Sequence, residues 1–154
     1  MKEHHYTSAL EWTGNTGTGT SDYKSYERSY QLTVDNKPTI LGSSDPSFRG
    51  DKTRHNPEEL LLASIASCHM LWFLHFASVN GVIVLEYTDI ATATMVENAD
   101  GSGQFSAVML KPFVKVADAS MIEKANSLHH LANESCFIAR SLNFKVSHEP
   151  SAIT

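Results

Sequence analysis

The chain contains two cysteines, Cys68 and Cys136, and eight histidines. A cysteine pair in a protein made under reducing conditions is more often catalytic, redox-active or metal-binding than a permanent staple. The thiolate is the reactive form, and a nearby cation or a helix N-terminus favours it. His69, His75, His129 and His130 raise a competing chemistry, a Cys/His metal site, because imidazole and thiolate suit zinc or copper. Their spacings match no closed ligand pattern, and His69 points about 100° around a helix from Cys68. No metal and no other cofactor is therefore assigned. Residues 14–20, GNTGTGT, lack the Lys-Ser/Thr ending of a phosphate loop and read as a Gly/Thr turn.

Cys68 lies inside a strongly signalled helix. Asn56 fits an N-cap, Pro57 the first helical position, and Glu59 the third, where its carboxylate reaches back toward the cap. From Leu60 to Val79 twenty residues pass without Asp, Glu, Lys or Arg, enough on length alone for a membrane span. That run also holds Ser64, Ser67, Cys68, His69, His75 and Ser78 and has no basic flank, so a helix enclosed within a soluble protein is expected instead. Asn80-Gly81 ends it with a left-handed cap.

The other elements frame this helix. Upstream, Tyr26, Tyr30, Leu32 and Val34 recur between polar residues, and Asp35-Asn36-Lys37-Pro38 turns the chain into Thr39-Ile40-Leu41, an antiparallel hairpin. Gly42 to His55 is a loop of a length that is often functional. Downstream, strands are expected at Val82 to Leu85, Tyr87 to Val96, Gln104 to Leu110 and Pro112 to Val116, forming a meander. Asp118 or Ser120 starts a second helix that runs to about Glu134 with Ile122, Ala125, Leu128, Leu131 and Ala132 on its apolar face. Cys136 sits where that helix ends. Phe144 to Ser147 reads as a last strand, and Glu149 to Thr154 as a loose tail. The class is α+β in one domain, 1–154.

Composition restricts the partners. A chain of 154 residues buries a real core without help from a disulfide or metal. A formal net charge of -5 and a pI near 5.9 give no general attraction to polyanions, so no nucleic acid and no membrane partner is expected. The N-terminal MKEHHYTSAL has no apolar h-region, which points to a cytoplasmic setting. One small sheet covers only one side of a helix that is apolar all round. The expectation is a homodimer of C2 symmetry, its two Leu60 to Val79 helices packed together inside wrapping sheets.

Asn56-Pro57-Glu58-Glu59-Leu60, followed through small residues to Cys68, resembles the signature of the OsmC/Ohr family of osmotically inducible and organic-hydroperoxide-resistance proteins. The resemblance runs from the Tyr26 hairpin to the final strand, and Cys136 in Glu134-Ser135-Cys136-Phe137-Ile138-Ala139 occupies the place of the family's second cysteine. It implies an OsmC-like fold, with an antiparallel sheet wrapped around a long central helix, and an intertwined homodimer with two thiol sites at the interface. It also implies reduction of organic hydroperoxides by a cysteine pair assisted by an arginine and a glutamate. The arginine maps onto Arg28, with Arg49 and Arg54 in the connecting loop as alternatives, and the glutamate onto Glu58.

In that scheme Cys68 attacks the peroxide and becomes a sulfenic acid, and Cys136 condenses with it to a disulfide. Their Cα atoms must then come within about 7 Å. Cys68 sits mid-helix, where the dipole gives it little, so a positive group has to be supplied. Glu58 precedes it by ten residues, roughly 15 Å along one helix. If Glu58 serves Cys68, it comes from the other chain, and the two helices run antiparallel. Departures from the family pattern are Arg54-His55 in place of a Gly-Thr pair, His69 after the first cysteine and Phe137 after the second. Two readings of function follow. One is a peroxide reductase with an apolar pocket lined by Trp72, Phe73 and other aromatics, recycled by an external dithiol such as a lipoylated protein. The other is a non-enzymatic dimer that senses redox state or binds an apolar ligand.

Overall fold

The computed structural model describes residues 1–154. It divides into two compact units, Met1–Leu60 and Leu61–Thr154. The class is α+β, with small sheets and one long helix.

The first unit carries a three-stranded antiparallel sheet, β1 (Ala9–Trp12), β2 (Tyr30–Thr33) and β3 (Ile40–Gly42), in that order. The β2–β3 hairpin is the expected one, and Asn36 takes the left-handed conformation (φ 62°) that its turn requires. The strand is shorter than the Tyr26 to Val34 pattern, because Tyr26 leaves the ladder for a single bridge to Asn15. Strand β1 was not foreseen; its four residues are all exposed, so they show no buried face to read. In the long loop a single 3-10 turn, Pro46–Phe48, is capped by Asp45, whose carboxylate accepts from the Ser47 amide at 2.7 Å. Gly50 closes this loop by donating to the Asp45 carbonyl at 3.1 Å. A Cβ at Gly50 would overlap the Ser44 carbonyl oxygen. Gly50→Ala should therefore lower stability by about 2 kcal/mol, read as an earlier urea midpoint; an unchanged midpoint would mean that the loop opens freely.

Helix α1 (Pro57–Val79) starts with a reciprocal cap. Asn56 Oδ1 accepts from the Glu59 amide at 2.8 Å, and the Asn56 amide donates to Glu59 Oε2 at 3.2 Å. It ends equally clearly. Gly81 is left-handed at φ 73°, its amide bonds the Ser78 carbonyl at 3.3 Å, and the Val82 amide reaches back to the Ala77 carbonyl at 2.9 Å.

The second unit holds two three-stranded sheets. One is ordered β4 (Val84–Asp89), β7 (Pro112–Val116), β9 (Ser151–Ile153); the other is β5 (Thr92–Glu97), β6 (Gly103–Leu110), β8 (Lys145–His148). β4 pairs with β7 and β5 with β6 antiparallel, whereas β8 and β9 add parallel to β6 and β7. The expected simple meander is thus replaced by two sheets, and Tyr87 to Val96 is two strands rather than one. The tail is not loose: Ser151–Ile153 pairs along β7.

Helix α2 (Ile122–Ser135) follows a 3-10 turn capped by Asp118. Its buried face is Ala125, Leu128, His129 and Ala132. Leu131, expected inside, is exposed, and His129 is enclosed instead. After Cys136 comes a short helix α3 (Phe137–Arg140).

In this unit α1 buries a single stripe, Ile65, His69, Phe73 and Ala77. Ile65 packs with Val108, Leu110 and Val146, while Phe73 and Ala77 pack with Val82, Val114, Val116 and the α2 face. Other positions of the helix stay open, Leu71 at 63% exposure among them. By length and composition alone α1 is long and apolar enough to cross a membrane.

Candidate active site

Cys68 projects from the middle of α1 and is half-buried. Cys136 sits at the junction of α2 and α3, where its extended backbone (ψ 111°) breaks the helix and its Sγ caps α3 by accepting from the Ala139 amide at 3.4 Å. Its side chain is 1% exposed. Both thiols are free, and Cys68 lies beside the Cys136 thiol. The fold thus brings together two sulfurs that lie sixty-eight residues apart in sequence. Burial first, then the neighbouring Cys68, pushes the Cys136 thiol up to about 11. At neutral pH Cys136 is therefore a protonated donor. Of the two thiols, Cys68 is the more accessible and has a neutral neighbour.

The predicted arginine has other partners. Arg28 lies just before β2, and its guanidinium donates to the Tyr26 carbonyl at 2.6 Å and the Tyr23 carbonyl at 2.7 Å. It also stacks over the Tyr26 and Tyr23 rings at 4.1 and 4.4 Å. Of the alternatives, Arg54 pairs with Asp51 at 3.5 Å, and Arg49 lies 6.0 Å from the Tyr23 ring. Glu58 stands in the first turn of α1 with its Oε2 buried and without a hydrogen-bond partner. Tyr30, its neighbour in the first unit, has its phenol raised by burial and, secondarily, by the Glu58 charge. Glu58 and Cys68 occupy one unbroken helix, so their separation of roughly 15 Å holds within a chain.

A second polar group lies in the core of the Leu61–Thr154 unit, drawn from three segments far apart in sequence. His69 Nε2 and His129 Nδ1 are 2.9 Å apart, both rings are fully buried, and the His148 ring lies 5.6 Å from His69. Phe73 stacks flat on His129 at 4.0 Å. Burial above all holds both imidazoles in the neutral form, His69 near 4 and His129 near 3. These side chains are not arranged to hold a metal ion. The available signal was His129 falling in register with Ala125, Leu128 and Ala132 on the α2 face.

The aromatic residues also separate. Phe73, expected to line a pocket, is wholly inside the core. Trp72 is half-buried and meets Phe137, the residue after Cys136, edge to face at 5.6 Å.

Comparison with known proteins bears on the family and the fold. The family model described as OsmC-like protein matches residues 50–151. An OsmC-like protein of unknown function from Vibrio cholerae superposes with TM-score 0.86 at 29% identity, covering 96% of this chain and 99% of its own. An organic hydroperoxide resistance protein OsmC from Legionella pneumophila gives 0.66 at 14% identity, with 100% of each chain covered. One from Elizabethkingia anophelis, with thiocyanate bound, gives 0.66 at 15% identity and covers 98% of each chain. The last two share the fold. Among curated proteins no match was found. With two-thirds of its length matched by the family model and its long helix and thiol pair placed as above, the chain belongs to the OsmC-like family.

Proposed function

We propose that this protein is a two-cysteine reductase of organic hydroperoxides that works as a homodimer. The observation that carries the reading is the adjoining pair of free thiols, one accessible and one buried and protonated. The Cys68 thiolate attacks the O–O bond of ROOH; its sulfur gains an oxygen, and ROH leaves with one proton from the medium. Cys136 then attacks the sulfenic acid, an S–S bond forms, and water leaves with the Cys136 proton. An external dithiol, such as a lipoylated protein, reduces the disulfide by thiol exchange. The setting this chemistry suits is the reducing cytoplasm.

Activation of Cys68 needs a cation, which Arg28, Arg49 or Arg54 supplies. Glu58, with one buried oxygen unpaired, orients that cation for the neighbouring chain's thiol. A homodimer is supported by the apolar surface that α1 leaves open, Leu71 and Val79 included, and by the unmet hydrogen bond of Glu58.

The test is one equivalent of cumene hydroperoxide followed by intact mass. Loss of two hydrogens is expected, and Cys68→Ser should abolish it. If both thiols stay titratable after exposure, a non-enzymatic ligand-binding or sensing role replaces this one.

A further inference from the structure

The two helices that carry the thiols are tied to each other by a directional contact. His69, the residue after Cys68 on α1, has its Nε2 2.9 Å from Nδ1 of His129 on α2, and both rings are buried. On α2 the buried row Ala125, His129, Ala132 continues at helical spacing into Cys136, which stands seven residues, roughly 10 Å, beyond His129. Phe73, one turn after His69, fixes the plane of the His129 ring by stacking on it at 4.0 Å and 9°. The remaining packing between the helices is apolar: Phe73 and Ala77 share a cluster with Ala125, Leu128 and Ala132. Such contacts are non-directional and hold two helices together without fixing how far one slides along the other. Cys136 is the residue at which α2 ends, so its sulfur stands wherever α2 is set against α1.

We infer that His69 and His129 are positioning residues for disulfide formation: their hydrogen bond sets α2 against α1 so that the Cys136 sulfur is held at Cys68. This rests on the reductase reading and assigns what controls its second step. The pair is ill suited to a purely stabilising part. His69 Nδ1 and His129 Nε2 are buried without partners, a desolvation cost that two apolar residues would avoid, and replacing both members of a buried polar pair is often close to neutral. What an apolar pair lacks is a preferred relative position. A hydrogen bond weakens steeply as its angle departs from the optimum, and misplacing reacting groups by about 1 Å costs up to about a hundredfold in rate. The first step, attack of Cys68 on the peroxide, needs no group of α2 and does not depend on the bond.

The experiment follows both steps by rapid quench and intact mass at pH 7. It compares the wild-type chain with His69→Leu/His129→Leu, which removes the bond, and with His69→Gln/His129→Asn, whose amides place a donor and an acceptor where Nε2 and Nδ1 now stand. With one equivalent of cumene hydroperoxide, oxidation of Cys68 should keep its rate within about twofold in all three. Closure of the disulfide should slow roughly tenfold in the leucine variant and recover to within about threefold of wild type in the amide variant. Under excess peroxide only the leucine variant should accumulate sulfinic acid. Wild-type closure in the leucine variant overturns the inference. An amide variant as slow as the leucine one overturns it too, since ring packing and not the bond would then be the cause, and so does an equal loss of both steps. If the amide chain does not fold, the split between the two steps in the leucine variant decides alone. Diamide separates this inference from the reductase reading: Cys68 adds across its N=N bond, Cys136 displaces the hydrazine, and both thiol hydrogens leave on nitrogen. The same order of closure rates with diamide, in a chain inert to cumene hydroperoxide, supports the positioning role and rejects the reductase. Equal closure rates with diamide overturn the positioning role whatever the peroxide does.

Discussion

Between pH 7 and pH 4 the protein should lose on the order of 5 kcal/mol of folding stability, a loss comparable with the whole stability of an ordinary domain. The cause is the buried pair His69 and His129, whose rings are bonded to each other, with His129 stacked on Phe73. Free imidazole takes up a proton near pH 6.5. In the fold burial holds His69 near 4 and His129 near 3. The unfolded chain therefore binds more protons than the native one throughout that window. Stability contributed by the neutral pair is complete above about pH 6.5 and is lost as pH falls through 4 for His69 and 3 for His129, with a slope of up to about 1.4 kcal/mol per pH unit for each ring. His148, also lowered by burial, acts in the same direction.

Urea melts at whole pH units between 7 and 4 read this directly, with a falling midpoint at constant slope. The double variant His69→Leu/His129→Leu replaces both partners of the hydrogen bond by apolar groups, a change that is often close to neutral at pH 7. Its profile between pH 6.5 and 4 should be markedly flatter. A wild-type midpoint that does not move with pH would remove the histidine pair from any account of stability.

That pair also marks the boundary of what the amino-acid order reveals. The long helix was legible end to end because its signals are local: Asn56 and Glu59 bond each other within one turn, and Asn80-Gly81 closes the last turn with its own amides. Helix α2 was legible in period but not in content. Leu131 has the chemistry of a core residue, yet it lies a helical step off the buried row, and His129 takes the inside position because His69 offers it a partner. Local alternation also could not show that the chain changes sheets after Asp89, since Val84–Asp89 and Thr92–Glu97 both remain extended. The three residues of β9 follow Pro150 and carry no pattern of their own; they are ordered by the edge that β7 presents.

The site shows the same division. Each thiol was visible by residue type, but their meeting depends on α1 and on the α2–α3 junction folding together, a long-range fact. Arg28 was visible as a cation. Its sandwich between Tyr23 and Tyr26 comes from the loop that returns those rings to it, and no periodicity records that loop.

Cys136→Ser separates the two halves of the proposed cycle, and it should leave the fold intact. The serine hydroxyl can accept from the Ala139 amide as Cys136 Sγ does now, so the cap on α3 survives, and the residue remains small. The first half-reaction needs only Cys68, so one equivalent of peroxide should still oxidise it. What is lost is the thiol held beside Cys68. A thiol fixed beside its target outcompetes one arriving from solution by a large effective concentration, so steady-state turnover with dithiothreitol should fall on the order of a hundredfold or more. The intact mass should then show one oxygen gained in place of two hydrogens lost, with a dimedone-reactive sulfenic acid on Cys68. Excess peroxide should carry that sulfur on to the sulfinic acid, which dithiothreitol does not reverse. Wild-type turnover by Cys136→Ser would instead show that an external thiol resolves Cys68 directly, and that the buried thiol only caps α3.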